Sequence, residues 1–191
     1  MSQDLGKLLE SSGAVLHGHF LLTSGRHSDV YFEKFRVLEQ PNVLSALCQE
    51  IAQRFASESI DLVIGPTTGG IIIAFEVGRL LEVQARYVET ENGEKKLRRG
   101  ALIEPGARVL VVDEVLTTGT TLREVIDLVD KAGAVVAGVG VLIDRTESPI
   151  DFGCPFFAAY RVQAKSYPPD DVPDWLDAIP VTKSGTRVVR G

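Results

Sequence analysis

Residues Arg108 to Thr121, which read Arg-Val-Leu-Val-Val-Asp-Glu-Val-Leu-Thr-Thr-Gly-Thr-Thr, constrain this chain more than any other stretch. Four apolar residues in a row, Val109 to Val112, lack the alternation of a strand wet on one side, so both faces are expected to be covered, as in the middle of a parallel sheet. Two acids, Asp113 and Glu114, fall at the carboxyl end of that strand. A Thr/Gly turn follows, and Leu122, Val125, Ile126, Val129 and Ala132 then recur at helical spacing until Gly133 closes the pattern. In open α/β sheets ligands lie beyond the carboxyl ends of the strands, and a helix start offers unpaired N–H groups and a positive dipole end to an anion.

The strand, turn, helix scheme recurs along the chain. Asp61 to Gly65 is a short buried strand, Pro66 to Gly70 a turn, and Ile71 to Glu82 an apolar helix. Gln84–Val88, Ala134–Ile143 and Phe156–Val162 read as further strands, the second ending in Asp144-Arg145-Thr146. Pro41 at a first helical position opens a helix whose buried stripe is Val43, Leu44, Leu47, Ile51 and Phe55. Strands alternating with helices specify an α/β fold with a doubly wound parallel sheet. Ahead of it, a short amphipathic helix over 3–12 and an extended hairpin from Val15 to Arg36, turning at Thr23 to Arg26, make a small N-terminal hood. Glu89 to Gly100, polar and rich in breakers, reads as a mobile loop. The 191 residues are therefore expected to form a single domain: the hood at 1–38, the core at 39–165 and an irregular tail at 166–191.

Charge and composition narrow the partners. A formal net charge of -6 argues against a general nucleic-acid binder, and no apolar run approaches the length of a membrane span. The first residues, Met-Ser-Gln-Asp-Leu-Gly-Lys, are not a targeting segment, so the expected compartment is cytoplasmic. Cys48 and Cys154 lack metal-ligand spacing and read as packed thiols. His17-Gly-His19 shares one face of a strand, but with no acid or Cys partner nearby it makes a poor metal site. Gly138-Val-Gly140 lacks the third glycine of a dinucleotide fingerprint and lies inside a strand, where small residues permit close packing. No Gly-Lys-Ser/Thr follows a Gly-rich loop, which excludes a nucleotide P-loop.

Two carboxylates at a buried strand's end can accept hydrogen bonds from vicinal hydroxyls, as on a ribose, and their charge suits a sugar that turns cationic as a bond breaks. The Leu116, Thr117, Thr118, Gly119, Thr120, Thr121 segment supplies N–H groups and hydroxyls shaped for a phosphate. Together they point to a phosphorylated sugar. This segment resembles the signature with which type I phosphoribosyltransferases bind 5-phosphoribosyl-1-diphosphate (PRPP). The resemblance implies that Asp113 and Glu114 hold the ribose hydroxyls, that Thr117 to Thr121 take the 5′-phosphate, and that Thr67, Thr68 and Gly69, in a Gly65-Pro-Thr-Thr-Gly-Gly70 loop similar to the family's diphosphate loop, take the diphosphate.

Ser24-Gly-Arg-His-Ser28, Tyr31-Phe32-Glu-Lys-Phe-Arg36, Leu97-Arg-Arg-Gly100 and Tyr167-Pro-Pro169 extend the likeness to orotate phosphoribosyltransferases over nearly the whole chain. That resemblance implies an orotate site of Tyr31, Phe32, Lys34, Thr117 and Arg145. A guanidinium fork matches the carboxylate of a flat anion, and aromatic faces match its ring. It also implies a lid whose cations, Lys95, Lys96, Arg98 and Arg99, close over the diphosphate of the neighbouring subunit in a homodimer. Mg²⁺ is implied as cofactor, carried by PRPP near Asp113 and Glu114 rather than bound directly by the protein. The same residues leave open a phosphoribosyltransferase for a different base, or a PRPP-binding regulator without turnover.

Several positions depart from the family pattern. Glu114 stands where Asp is usual, Asp29 where the hood has Pro, and Thr90 and Glu91 where many relatives carry a cation at the base of the lid. Thr23 replaces a Lys found before Ser-Gly-Arg in some members, for which Lys34 is the available substitute. Val172-Pro-Asp-Trp175 replaces a Cys-x-x-Cys found in some relatives.

Overall fold

The computed structural model describes residues 4–22, 24–98, 100–162 and 165–183. The chain opens with α1 (Leu5–Ser11), the hairpin strands β1 (Val15–Leu21) and β2 (His27–Phe32), the short α2 (Lys34–Leu38) and α3 (Pro41–Phe55). The core continues with β3 (Leu62–Pro66), α4 (Gly69–Leu81), β4 (Gln84–Glu91), β5 (Glu94–Lys96), β6 (Arg108–Leu116), α5 (Thr120–Lys131), β7 (Val135–Asp144) and β8 (Phe156–Arg161). The last described elements are β9 (Ser166–Tyr167), α6 (Asp174–Asp177) and β10 (Val181–Lys183).

The core sheet has the order β5-β4-β3-β6-β7-β8 and is parallel except for β5, which runs antiparallel to β4. Alternate residues of its central strands feed two separate apolar clusters. Val63, Leu110, Val112 and Leu142 pack beneath α3 and α4, while Ile64, Val109, Val111, Val139 and Val141 pack beneath α5. Helices therefore cover both faces, which is why Val109 to Val112 is apolar without a break. Strands β3 and β6 are neighbours although β4 and β5 lie between them in sequence, so the winding reverses at that pair. A crevice at such a reversal, beyond the carboxyl ends of the two strands, is the ligand position of open α/β sheets. Gly138 and Gly140 bring α3 down onto the sheet. A Cβ on Gly138 would overlap the Phe55 ring, and one on Gly140 would meet Ile51 at 2.7 Å.

Three expectations change. Glu33 to Arg36 is not extended. Glu33 caps α2, its carboxylate accepting from the Phe35 N–H at 3.2 Å, and the helix turns Lys34 toward the core sheet. Residues 89–98 are not wholly a loop either. Asn92 (φ 53°) and Gly93 (φ 82°) make a two-residue turn that pairs β4 with β5, because two consecutive positive φ angles fit the twist of a tight hairpin. The tail is also partly regular, since β10 and β9 flank the β1–β2 hairpin and complete a four-stranded hood sheet in the order β10-β1-β2-β9.

His19 is buried, bonded to the Ile179 carbonyl and to His27, whereas His17 is exposed. A register shift between His17 and Phe20 explains why these alternate residues do not share an environment. Cys48 packs inside the core, where burial and then the nearby Glu76 charge push its thiol up to about 12.

Candidate active site

Beyond the ends of β3 and β6 the hood closes one side of a cavity of about 620 Å³. Its walls include Tyr31 and Lys34 from the hood, Thr67 after β3, Asp113 and Glu114 on β6, Thr117 and Thr121 at the start of α5, and Arg145 after β7. A second lobe of about 570 Å³ adjoins it, walled also by Ile72, Thr68 and Gly69, with Lys34, Phe35, Thr67 and Glu114 common to both lobes. Residues from four places in the sequence thus meet where the winding reverses.

Strand β6 carries the acids into the crevice while still hydrogen-bonded to β7. Asp113 is only 8% exposed, and its Oδ1 accepts the Glu114 N–H at 2.8 Å. Burial, followed by the adjacent Glu114 carboxylate, holds the Asp113 carboxyl well above the usual carboxylate range. Burial pushes Glu114 upward too, but its bonds to Asp113 and Lys34 outweigh that and leave it below its ordinary value. The two adjacent carboxyls therefore titrate as a pair, Asp113 shifted up and Glu114 down. Lys34 Nζ donates to Glu114 Oε1 at 2.6 Å, and Gly69 lies against the same carboxylate.

Helices α4 and α5 start at this crevice, and neither is capped by the side chain of its cap residue. The caps are Thr68 for α4 and Gly119 for α5, the latter in the left-handed region at φ 76°. Helix α2, which also starts beside the cavity, is closed by Glu33, whereas α3 and α6 resemble α4 and α5 in having no side-chain cap. Open helix starts leave N–H groups for an anion. Thr117, Thr118 and Thr120 are exposed around the α5 start, with Thr118 and Thr120 hydroxyls 3.1 Å apart.

Arg145 is, with Lys34, a cation of the crevice walls. Burial lowers the pKa of its guanidinium from the ordinary value, with Tyr31 the one titratable group acting on it, and among the described residues no carboxylate pairs with it. The Tyr31 ring packs tilted against Phe20, at 33° with ring centroids 5.5 Å apart. Phe32, on the opposite face of β2, borders the cavity but is 4% exposed and belongs to the core cluster.

Of the residues singled out from sequence, the structure brings together Tyr31, Phe32, Lys34, Thr67, Thr68, Gly69, Asp113, Glu114, Thr117, Thr121 and Arg145. Leu116 is instead buried in the core beneath α5. Lys95 and Lys96 lie on β5 and Arg98 just beyond it, all outside the crevice walls. Lys95 donates to Thr90 and pairs with Glu124 of α5, Lys96 with Glu91 and Glu94, and Arg98 with Glu91 at 2.6 Å. Arg99 and Thr23 lie outside the described residues. Glu33, Phe35, Pro66 and Val115 also line the cavity and were not singled out. An acid followed by Lys-Phe-Arg-Val-Leu was a helix-start signal that would have turned Phe35 toward the site.

The phosphoribosyl transferase domain model matches residues 36–152. The chain is 48% identical over 182 residues to an orotate phosphoribosyltransferase of Pelotomaculum thermopropionicum, covering 95% of this chain and 96% of that protein. It is 41% identical over 187 residues to one of Desulforamulus reducens, covering 98% of each. The crystal structure of orotate phosphoribosyltransferase from Aeropyrum pernix superimposes with a TM-score of 0.70 at 29% identity, over 83% of this chain and 94% of that one.

Proposed function

The chain belongs to the phosphoribosyl transferase family, and from that premise we propose how its crevice works. The reaction is the one its relatives are named for: the phosphoribosyl group of PRPP passes to orotate, giving orotidine 5′-phosphate and diphosphate in pyrimidine biosynthesis. The observation that carries the choice of orotate is Arg145, a half-buried guanidinium with no carboxylate partner among the described residues, set beside Tyr31 in the same cavity as the acids. A cation desolvated without a partner favours an anionic ligand, and a fork of N–H donors matches a carboxylate.

In this account Asp113 and Glu114 hold the ribose hydroxyls and favour the positive charge that develops at its C1′ as the diphosphate leaves. Thr117, Thr118, Gly119, Thr120 and Thr121 fix the 5′-phosphate at the open start of α5. Thr67, Thr68 and Gly69 receive the diphosphate at the open start of α4, supported by the proximity of both loops to one cavity. Tyr31, Phe32, Thr117 and Arg145 orient orotate so that its ring nitrogen faces C1′.

Among the described residues no group of three or more His, Cys, Asp or Glu gathers to hold a metal. The two acids suit a cation that arrives with PRPP, its oxygens completing the ligand set. Mg²⁺ held there would offset charge on the diphosphate and so favour its departure.

A homodimer completes the site in this account. The lid cations Lys95, Lys96, Arg98 and Arg99 are assigned to the partner's crevice, since none of the first three lines its own. Phe35, Ile72 and Phe75 are 62%, 43% and 66% exposed on α2 and α4 beside the second lobe, the apolar surface such a contact needs. No helix among the described residues is long and apolar enough to cross a membrane, and we assign the protein to the cytoplasm.

Diphosphate release from PRPP and Mg²⁺, measured with orotate, uracil, adenine, guanine and hypoxanthine in turn, tests the base. Orotate is expected to exceed every other base by about 100-fold, because a buried cation left unpaired by a neutral base is costly. A higher rate with any other base overturns the assignment.

A further inference from the structure

Lys34 opens α2 at the seam between hood and core and reaches a carboxylate 80 positions away in sequence. We propose that Lys34 is a positioning residue for the phosphoribosyl substrate, acting through Glu114, and not a ligand of orotate. The inference rests on the functional reading above for what the crevice holds.

Glu114 has one more rotatable bond than an Asp at the same place, so its carboxylate needs more to hold it. The structure supplies that hold. Lys34 occupies Oε1 at 2.6 Å, Gly69 flanks Oε2, and the Glu114 N–H is tied to Asp113. The Glu114 side chain is 13% exposed and forms wall in both lobes, where a molecule extending from the ribose acids to the Thr67–Gly69 loop passes. Carboxylates beside a polyanion repel it, and the Lys34 ammonium, 2.6 Å from Glu114 Oε1, offsets part of that charge.

The Lys34 ammonium is committed to this bond. Giving it to orotate would break a short charge-assisted contact at a part-buried site. Arg145, with no carboxylate partner to leave among the described residues, has no such cost. The two cations of the crevice therefore divide the work: Arg145 faces the base and Lys34 the sugar.

Binding of ribose 5-phosphate, which carries the hydroxyls and the 5′-phosphate but no leaving group, is measured by calorimetry on wild type, Lys34→Met, Glu114→Ala and the double variant. Methionine keeps most of the stem at a position 42% exposed, so the fold is retained. Lys34→Met is expected to weaken ribose 5-phosphate by about tenfold, the size of one charge-assisted hydrogen bond, and to have no further effect once Glu114 is Ala. In steady state the same variant raises KM for PRPP and leaves KM for orotate within about twofold, and Lys34→Arg restores most of the loss. A rise in the orotate KM alone, or an undiminished effect of Lys34→Met in the Glu114→Ala background, overturns the inference. The calorimetric cycle contains no base. A wild type that binds ribose 5-phosphate but does not consume orotate therefore removes the choice of base and leaves the Lys34 assignment to be decided by the cycle.

Discussion

Gly69 lies so close to Glu114 that a methyl group on its Cα would meet Glu114 Oε2 at 2.6 Å. The loop after β3 and the acid on β6 are thus fitted to each other, and the longer acid fits because residue 69 has no side chain. What a methyl group would displace is the tip of a flexible side chain and not backbone. Gly69→Ala is therefore expected to leave the melting temperature within about 3 °C of wild type while raising KM for PRPP about tenfold or more. Thermal melts beside PRPP titrations check this. A large drop in melting temperature would mean that the loop, and not Glu114, had absorbed the clash.

Asp113 gives a pH dependence of definite sign. Its folded pKa, raised to about 8 by burial and then by Glu114, lies above its unfolded value. The stability it contributes is therefore fully present below the unfolded pKa of about 4 and is lost as pH climbs through the folded one. Glu114, held below its ordinary value, acts in the opposite sense and lends stability above it. Asp113→Asn removes the first effect while still accepting the Glu114 N–H. The variant is expected to gain on wild type between pH 5 and pH 8, reaching about 1–3 kcal/mol, with activity lost. Urea denaturation at both pH values measures it, and an advantage that shrinks toward pH 8 would contradict the assigned direction.

Gly138 is a packing residue, since any side chain there would run into the Phe55 ring. Gly138→Ala is expected to cost about 1–3 kcal/mol in urea denaturation, and Phe55→Leu in the same chain to recover part of that loss. Independent, additive losses would mean that the two residues do not share this space.

The sheet and its helices were legible because their signals are local: the unbroken apolar run of β6, Pro41 at the head of α3, and Gly138-Val-Gly140, whose reading as close-packing residues is matched by the contacts of Phe55 and Ile51. The positions of the acids, of the turns at 67–69 and 117–121 and of Arg145 were legible as strand ends facing the crevice. The pairing of Lys34 with Glu114 was not, because nothing near either residue records a partner 80 positions away. Strand β10 was hidden for the same reason, since its parallel pairing with β1 joins the two ends of the chain. The β4–β5 hairpin did have a local signal in Asn92-Gly93, but it was masked by the charged residues around it.

The shared lid has its own test. Asp113→Asn and Lys95→Ala damage different parts of a site that two subunits would build together. Each variant alone is expected to lose activity by about 100-fold or more, and mixing them to restore up to about a quarter of wild-type activity through dimers with one intact site. Restoration absent under conditions where subunits exchange would assign the lid to its own crevice.

The most direct measurement follows orotate absorbance with PRPP and Mg²⁺ in wild type and Asp113→Asn side by side. Wild type is expected to consume orotate only when both PRPP and Mg²⁺ are present, and Asp113→Asn to be slower by about 1,000-fold, the scale of losing one preorganised electrostatic group. No PRPP-dependent loss of orotate in wild type, or equal rates in the two proteins, would contradict the account.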